Sequence, residues 1–325
     1  MICRITAAAV AAMCSFALLS GPASTAPASD APPSVTIAYQ PGISYATLIV
    51  IKEQGTLEKQ FPATKFDWRL LSNGATIRDG FLAGQIQIGA GGSTPFLIGW
   101  DKGVGYRLIA SLNEMSLWLV AKDPKIRSIK DLSGSSKIGV PGPDAIQAIT
   151  LRKAAEDQLK NPHAFDTSFV AIQHPLGVQA LAGGQLDAHF SSPPFQQEEV
   201  ETGGHAILKS YDVFGKSTFN SVYTTETFAK EHPQFVTAMH RVIVDATKFI
   251  NTKPDDTAAL LAKDGEMKVP AAQFKKWMSA PDMTFTTTPH GFIKVAQYMK
   301  SLGMLGKVPA SMRDIELPVL GGEGD

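Results

Sequence analysis

One segment of this chain occurs twice, and this repeat constrains the fold more than any other feature of the sequence. Residues 81–96 align without a gap with residues 180–195, at an offset of 99 residues. The identical pairs are Leu82/Leu181, Ala83/Ala182, Gly84/Gly183, Ser93/Ser192, Pro95/Pro194 and Phe96/Phe195. Each copy has the pattern of a helix that ends at a glycine, a short strand, and a second helix after Ser-x-Pro-Phe. A unit used twice predicts two α/β lobes of similar plan, although such connections are common enough for the matches to arise by chance.

The first copy also predicts a binding position at the start of its second helix. We expect a strand over 86–90 and a helix that begins at Pro95, with Ser93 and Thr94 as capping residues. Proline is tolerated at the first helical position, and a preceding Ser or Thr accepts hydrogen bonds from first-turn amides. The unpaired N–H groups and the positive end of the helix dipole can hold an anion or a carbonyl oxygen. Because open α/β sheets bind ligands at the carboxyl ends of their strands, both copies are expected to face one cleft.

The length and charge of the chain limit the classes of function. A chain of 325 residues is long enough for two domains. The 30 Lys and Arg residues balance the 30 Asp and Glu residues, so the formal net charge is zero. This balance gives no support for nucleic-acid binding or for attachment to an anionic membrane surface.

Residues 1–28 have the layout of a secretory signal peptide. One positive charge precedes an apolar run over 5–19, and Ala-Pro-Ala at 26–28 offers a small-x-small cleavage site. The apolar run is short for a membrane span, which makes an uncleaved anchor the weaker alternative. Both cysteines, Cys3 and Cys14, fall inside this segment, so a mature chain has no disulfide scaffold, thiolate metal site or cysteine nucleophile. Export without disulfides predicts a periplasmic location.

The rest of the chain alternates between predicted strands and helices, after a Pro/Ala/Ser linker at 29–34. Strands are predicted over 35–39, 66–71, 86–90, 106–112, 116–121, 138–140, 206–208 and 219–224. Helices are predicted over 44–55, 76–83, 145–159, 233–251, 255–262, 270–279 and 290–302. This alternation predicts mostly parallel sheets with helices on their faces. The second lobe is expected over 123–218, inserted into a first lobe over 35–122 and 219–325, with two crossings near Ala121 and Asn220.

No group of residues predicts an active site. The seven histidines include no His-Glu-x-x-His pattern and no i,i+4 pair, so no metal site is expected. The chain lacks the Gly-x-Ser-x-Gly pattern of α/β-hydrolases, and the segment 214–217 lacks the leading glycine of a phosphate-binding loop. Surface pairing and capping explain Asp79 and Asp187. We therefore expect neither catalytic residues nor a cofactor.

Polar, small and aromatic residues gather at the predicted ends of strands. Turn and cap chemistry explains most of them individually. As a set they are expected to face one cleft and to contact a ligand, because several turns at one sheet edge lie together. These candidate binding residues are Gln40, Ser44, Tyr45, Asn73, Gly74, Thr76, Gly92, Ser93, Thr94, Asn113, Trp118, Gly142, Asp144, Gln147, Ser191 and Ser192.

Several of these stretches, in this order, resemble a known family. The resemblance rests on the strand that ends at Tyr39, the helix from Ser44, LLSNGATIRDGFLAGQIQIGAGGSTP, LWLVAK followed by IKDLSGSSKIGVPGP, and QALAGGQLDAHFSSPP. They are similar to the periplasmic substrate-binding proteins of ABC importers, in the nitrate/sulfonate/taurine and NMT1/THI5-like group. The resemblance implies a type II periplasmic-binding-protein fold, in which two α/β lobes joined by two crossings clasp a ligand.

The same resemblance implies which loops line the cleft. These loops are 40–45, 73–76, 92–94, 113–115, 142–144 and 191–193. The chain departs from the family pattern at Ser192, because many relatives have an acidic residue before the proline that is Pro193 here. The second lobe is therefore less negative than in those relatives.

The expected function is capture of a small organic anion, sulfonate- or carboxylate-like, without chemistry. Backbone N–H groups, hydroxyls and amides are expected to hold it, with Tyr45, Trp118 or Phe195 covering an apolar part. Contacts to both lobes favour the closed state, and the closed protein, a monomer, is expected to dock on the membrane permease of an ABC importer. Two alternatives stay open: an enzyme on the same scaffold, of the pyrimidine-synthase or chorismate-dehydratase type, and a ligand-sensing periplasmic protein.

Overall fold

Two five-stranded sheets, with helices packed on them, organise the chain. The computed structural model describes residues 30–322 and 324–325. The predicted signal peptide, with Cys3 and Cys14, lies outside the described residues. No helix within these ranges is long and apolar enough to cross a membrane.

The strands and helices lie close to their predicted positions along most of the chain. The strands are β1 (Ser34–Tyr39), β2 (Lys65–Leu70), β3 (Ile88–Gly92), β4 (Tyr106–Ser111), β5 (Glu114–Met115), β6 (Trp118–Ala121), β7 (Ile138–Val140), β8 (Phe169–Ala171), β9 (Ala188–Phe190), β10 (His205–Lys209), β11 (Asn220–Thr225) and β12 (Met283–Thr284). The helices are α1 (Ala46–Gln54), α2 (Thr56–Gln60), α3 (Gly74–Leu82), α4 (Ser93–Asp101), α5 (Ile146–Leu159), α6 (His174–Ala182), α7 (Phe195–Glu201), α8 (Tyr211–Phe214), α9 (Glu226–Glu231), α10 (Pro233–Thr252), α11 (Pro254–Asp264), α12 (Ala271–Met278) and α13 (Phe292–Ser301).

The two sheets have the same order and direction of strands. The first sheet has the order β2-β1-β3-β11-β4, and the second has the order β8-β7-β9-β6-β10. In each sheet the first three strands are parallel, and the fourth runs antiparallel to both of its neighbours. This confirms the prediction of two α/β lobes of similar plan. Four of the five strands in each sheet run in the same direction, and only the strand that follows each crossing enters its sheet in the reverse direction.

The repeated segment occupies the same place in both sheets, with an offset of 100 residues rather than 99. The central strands β3 and β9 begin at Ile88 and Ala188. The left-handed glycines before them are Gly84 and Gly184, with φ of 68° and 70°. Gly183, which aligns with Gly84 in the sequence, has φ of −81° and ends the preceding helix instead.

The first crossing between the sheets lies earlier in the chain than predicted. The strand β6, which the sequence analysis places in the first lobe, pairs with β9 and β10 of the second sheet. The short strand β5 before it pairs with β12, outside both sheets. We therefore propose that the second lobe begins at about residue 116 and ends near residue 218.

Neither copy of the repeat has the predicted serine cap. The helix α4 begins at Ser93 rather than at Pro95, and its N-cap residue is Gly92. Proline fits inside this first turn because the amides there have no partner within the helix. The N-cap residue of α7 is Pro194 rather than Ser192. The helix starts therefore expose backbone amides without a capping side chain.

Residues 30–33 are bound to the first lobe rather than forming a linker. The Asp30 carboxylate accepts hydrogen bonds from the amides of Gln234, at 2.7 Å, and Phe235, at 3.0 Å. These amides lie in the first turn of the 20-residue helix α10, where the helix itself offers no acceptor. Asp30 is therefore a helix cap supplied from a distant part of the chain, and Ser34 already belongs to β1.

Replacing Asp30 by alanine is expected to lower the free energy of unfolding by about 1 kcal/mol, the usual effect of losing a cap. Urea denaturation of the mature protein measures this change. Asp67→Ala is the matched control: Asp67 pairs with Arg69 on the surface, where an ion pair contributes little. Equal losses in the two variants would contradict the capping role.

An aromatic cluster lies beneath the first copy of the repeat. The ring of Phe96 has its centroid 5.7 Å from that of Tyr106, 5.3 Å from Tyr223 and 5.9 Å from Phe292. All four side chains are almost completely buried. They belong to α4, β4, β11 and α13, so the cluster joins four elements of the first lobe that are far apart in the sequence.

Candidate functional site

A cleft lies between the two sheets, at the edge where the predicted turns meet. Residues that follow β1 and β2 and that end β3 form its wall in the first lobe, and residues after β7, β8 and β9 form the opposite wall. The cleft leaves about 40 Å³ free for water-sized atoms. Its lining residues are Gln40, Pro41, Ser44, Tyr45, Asn73, Gly74, Gly92, Pro95, Pro141, Gly142, Asp144, Ala145, Ile146, Gln147, His174, Ser192, Phe219 and Asn220.

Ten of the predicted binding residues line this cleft. They follow or end five different strands, so the chain brings them together only through its sheet topology. Their contact with a ligand remains a prediction. The ten are Gln40, Ser44, Tyr45, Asn73, Gly74, Gly92, Gly142, Asp144, Gln147 and Ser192.

Three further predicted residues, Asn113, Thr76 and Thr94, support the lining without belonging to it. The Asn113 side-chain amide donates a hydrogen bond of 2.6 Å to the carbonyl oxygen of Ser44. The backbone amide of Thr76 donates to the side-chain oxygen of Asn73 at 3.0 Å, and the Thr76 side chain is exposed. Asn73 therefore caps α3, and Asn113 holds the loop that carries Ser44 in place.

Three predicted residues lie away from the lining. The Trp118 indole N–H donates to the Asp282 carboxylate at 3.0 Å, so the ring is engaged outside the cleft. Ser93 and Ser191 are buried but do not line the cleft. Of the two serines at equivalent positions of the repeat, Ser93 and Ser192, only Ser192 therefore lines the cleft.

Asn220 is a lining residue that the sequence analysis did not select. It is completely buried, and neither its side-chain oxygen nor its nitrogen has a hydrogen-bond partner among the described residues. The hydroxyl of Ser44, also buried at the cleft, has none either. Leaving a buried polar group unpaired costs about 1–3 kcal/mol, so these groups are expected to find partners in a bound ligand.

The first-lobe wall also carries a tyrosine that can donate a hydrogen bond. The Gln40 side-chain amide donates to the Tyr45 hydroxyl oxygen at 2.9 Å. Burial raises the pKa of Tyr45 well above its usual value, because the phenolate would lose its hydration. The hydroxyl therefore keeps its hydrogen at every physiological pH.

Four helices begin at the cleft. The helices α3, α5 and α6 start at the lining residues Gly74, Ile146 and His174, and α4 starts directly after the lining residue Gly92. The amino end of each helix carries unpaired N–H groups and a partial positive charge. Among the described lining residues there is no Lys or Arg, so these helix ends are the main positive groups at the cleft.

Asp144, the one carboxylate among the lining residues that the structure describes, is neutralised by the other lobe. Arg78, on α3 of the first lobe, lies 3.3 Å from the carboxylate of Asp144 in the second lobe. The Thr94 hydroxyl donates a hydrogen bond of 2.6 Å to the carbonyl oxygen of the same residue. The lobes are therefore in direct contact beside the cleft. The sequence predicted that Arg78 and Asp79 pair on the surface of their helix, whereas in the structure Arg78 pairs with Asp144.

The second-lobe wall contains a histidine that the sequence analysis treated as a surface or packed residue. His174 lines the cleft, and its Nε2 atom lies 3.3 Å from the Gln147 side-chain nitrogen. His174 lies shortly after the end of β8 and directly before Pro175. The other candidates were predicted because they lie in the same way after the ends of strands. Among the described residues, no group of three or more His, Cys, Asp or Glu side chains could hold a metal ion.

Comparison with known proteins identifies the family. Residues 28–263 match the NMT1-like family. The chain belongs to this family. The NMT1-like protein is also 27% identical over 298 residues to the taurine-binding periplasmic protein of Escherichia coli K12, covering 86% of this chain and 89% of that one.

Solved structures confirm the two-lobe fold of periplasmic binding proteins for this NMT1-like protein. An alkanesulfonate-binding protein from Xanthomonas axonopodis, solved with bound MOPS, matches with a TM-score of 0.71 and 17% identity, over 85% of this chain and 95% of that one. The periplasmic nitrate-binding protein of Synechocystis matches with a TM-score of 0.72 and 12% identity, over 90% of this chain and 86% of that one. These relatives are named as binding proteins rather than as enzymes.

Proposed function

We propose that this NMT1-like protein is a periplasmic solute-binding protein that delivers a small organic anion to the permease of an ABC importer. The observation that carries the proposal is the meeting of four helix starts with the unpaired Asn220 side chain at one cleft. Helix starts and neutral amides are a common means of holding an anion without a cationic side chain. The Asp144 carboxylate does not oppose this, because Arg78 pairs with it.

The ligands in the names of the relatives support the same chemistry. Taurine, alkanesulfonates and nitrate all present oxygen atoms that carry negative charge. The small free volume of the cleft, about 40 Å³, favours a ligand of a few non-hydrogen atoms over a drug-sized molecule. We therefore place a sulfonate or carboxylate head group against the helix starts.

Capture is proposed to couple to the relative position of the lobes. The lining residues come from both lobes, so a ligand makes all of its contacts only when the lobes are close together. A ligand stabilises the state in which it makes more contacts, so binding shifts the protein towards closure. Closed and open forms then differ in the surface that they present to a permease.

A thermal-shift screen tests this proposal. Taurine, ethanesulfonate, propionate and nitrate are compared with ethanol and tetramethylammonium, which are similar in size but not anionic. A ligand at about a hundred times its Kd is expected to stabilise the protein by about 2.7 kcal/mol. No shift with any anion, or an equal shift with tetramethylammonium, would contradict the proposal.

Export and oligomeric state belong to the same proposal. We propose that residues 1–28 direct export and are removed, and that the mature chain is a monomer. Cell fractionation and light scattering of the purified protein measure these two properties. A permease and an ATPase encoded beside this protein would support transport, whereas a neighbouring sensor kinase would favour ligand sensing.

A further inference from the structure

A row of polar side chains runs from the cleft into the core of the second lobe. Gln147 lines the cleft, and its side-chain nitrogen lies 3.3 Å from Nε2 of His174; a half-turn of the amide puts the Gln147 oxygen in that place. Nδ1 of His174 lies 3.2 Å from Nε2 of His189. Nδ1 of His189 is in turn hydrogen-bonded to the Glu199 carboxyl. His189 is completely buried and the side chain of Glu199 is 1% exposed, so water does not interrupt the row.

The second lobe has space for these polar side chains at a place where the first lobe is filled by apolar side chains. A Cβ atom at Gly177 would lie 2.3 Å from the His189 ring, so the absence of a side chain there admits the imidazole. At the equivalent positions, 100 residues earlier, the first lobe has Ile77 and Gly89, and the Phe81 ring fills the space above Gly89. The first lobe therefore adopts the same fold with apolar side chains at this place. This indicates that the polar row of the second lobe has a role other than folding.

The row has two self-consistent hydrogen-bond arrangements. A neutral imidazole carries one donor and one acceptor, and a glutamine amide offers either atom after a half-turn. When Glu199 and His189 share a proton, every donor points outwards: His189 donates to His174, and His174 donates to the Gln147 oxygen. The Gln147 NH₂ group is then left for the cleft. When that proton is lost, each bond reverses and Gln147 presents its oxygen to the cleft.

We propose that Glu199 and His189 are positioning residues that make Gln147 and His174 select an oxyanion, because the proton they share turns the Gln147 NH₂ group towards the cleft. This inference rests on the proposed function and specifies how the second lobe recognises the ligand. It holds whether the proton resides on the carboxyl or on the imidazole, since both placements leave Nε2 of His189 as a donor. Loss of the proton also leaves a negative charge beside the site, which opposes an anion.

Burial keeps the shared proton in place at neutral pH. Burial raises the pKa of Glu199 to about 9, and the neighbouring Glu198 adds to this increase. Burial lowers the pKa of His189 to about 3 and also lowers that of His174, so the row takes up no proton beyond the one that His189 and Glu199 share. Between these limits the row carries one shared proton and no net charge.

The elements around the row add few other charges. The helix α6 and the strands β6, β7 and β9 carry no ionisable side chain other than the two histidines. On α7, Glu201 is paired with Lys276 on α12. From β10, His205 bonds to the Ile126 carbonyl oxygen and Lys209 lies over the Trp118 ring. The Glu199–His189 pair is therefore the group expected to titrate next to the cleft at alkaline pH.

The pH dependence of anion affinity tests the inference. Ethanesulfonate is a suitable probe, because its charge does not change between pH 7 and pH 10. The wild-type protein is expected to bind it about tenfold more weakly at pH 10 than at pH 7, since binding requires the shared proton. The Glu199→Gln variant has no proton to lose there and is expected to show the same affinity at both pH values. Calorimetric titration measures both.

The neighbouring residue provides a matched control. Glu198→Gln makes the same chemical change one position earlier on α7, outside the row; because it removes a charge that raises the pKa of Glu199, it is expected to keep a fall of about tenfold or more. A tenfold fall that persists in Glu199→Gln, or a wild-type affinity that does not change with pH, would overturn the inference.

The tautomer of His174 provides a readout that does not depend on any ligand. Long-range ¹H–¹⁵N spectra are expected to show its hydrogen on Nε2 at pH 7 and on Nδ1 at pH 10 in the wild type. In Glu199→Gln the tautomer is expected not to change with pH. The same tautomer at both pH values in the wild type would overturn the inference, even if every anion fails to bind and the proposed function falls.

Discussion

Replacing Asn220 by leucine is expected to stabilise the ligand-free protein and to abolish tight binding of the anion. The side chain is completely buried, and its oxygen and nitrogen have no partner in the part of the chain that the structure describes, so removing these groups relieves a cost of about 1–3 kcal/mol. The same change removes hydrogen bonds to a charged ligand, worth about 1.5–3 kcal/mol each. Two such bonds correspond to a Kd about 100-fold higher or more. Thermal melts without ligand and calorimetric titration measure the two effects.

A second buried asparagine provides the matched control for the predicted gain in stability and loss of binding. Asn113 is equally buried, but its side-chain nitrogen donates to the Ser44 carbonyl oxygen. Asn113→Leu leaves that oxygen without its partner and is expected to lower the melting temperature. A loss of stability in Asn220→Leu as large as in Asn113→Leu would show that Asn220 serves the fold rather than the ligand.

Replacing Phe96 by alanine is expected to lower the free energy of unfolding by about 3–5 kcal/mol, the range for removing a buried aromatic ring. The ring is in contact with Tyr106, Tyr223 and Phe292, which come from three other elements and cannot all move to fill the space. Chemical denaturation followed by fluorescence measures the loss.

Leu82 is the control for this second prediction. It belongs to the same repeated segment but is 66% exposed, so Leu82→Ala is expected to change the free energy of unfolding by less than about 0.5 kcal/mol. A loss below about 1 kcal/mol in Phe96→Ala would mean that the aromatic cluster repacks and that four elements are not joined through this ring.

The two-lobe plan was predictable because it depends on local signals. Glycine turns, strand patterns and helix starts recur in both halves, and each acts within a few residues. The one-residue error in the repeat has a local cause as well. Gly183 and Gly184 are adjacent, and the sequence does not indicate which of them adopts the left-handed backbone. In the structure it is Gly184, so the helix before it is one residue longer than the alignment implies.

The sequence prediction missed Asn220 because the strand that begins there runs opposite to its neighbours. Parallel strands place their final residues at the cleft, and the rule based on strand ends found ten lining residues. Asn220 stands at the beginning of β11, and only the reversed direction of that strand brings it to the same edge. Pairing direction depends on the path of the chain through the other lobe, which local patterns do not contain.

The buried row in the second lobe could not be predicted from spacing. Its members lie ten or more positions apart along the chain, and each histidine alone resembles a packed side chain. The packing of α6 against β9 brings the two histidines together, because Gly177 has no side chain and leaves space for the His189 ring. The sequence does show one sign: His189 aligns with Ala90 of the other copy, so a bulky polar residue stands in place of a small apolar one.

The position of β11 has a consequence for the order in which the lobes assemble. All five strands of the second sheet lie within residues 118–209, so that sheet can be completed from one continuous piece of chain. The first sheet holds β11 between β3 and β4, and its two halves do not pair with each other until this strand arrives. When the chain emerges from its amino end, the second lobe can therefore be completed before the first. This reverses the usual order, in which the amino-terminal domain folds first.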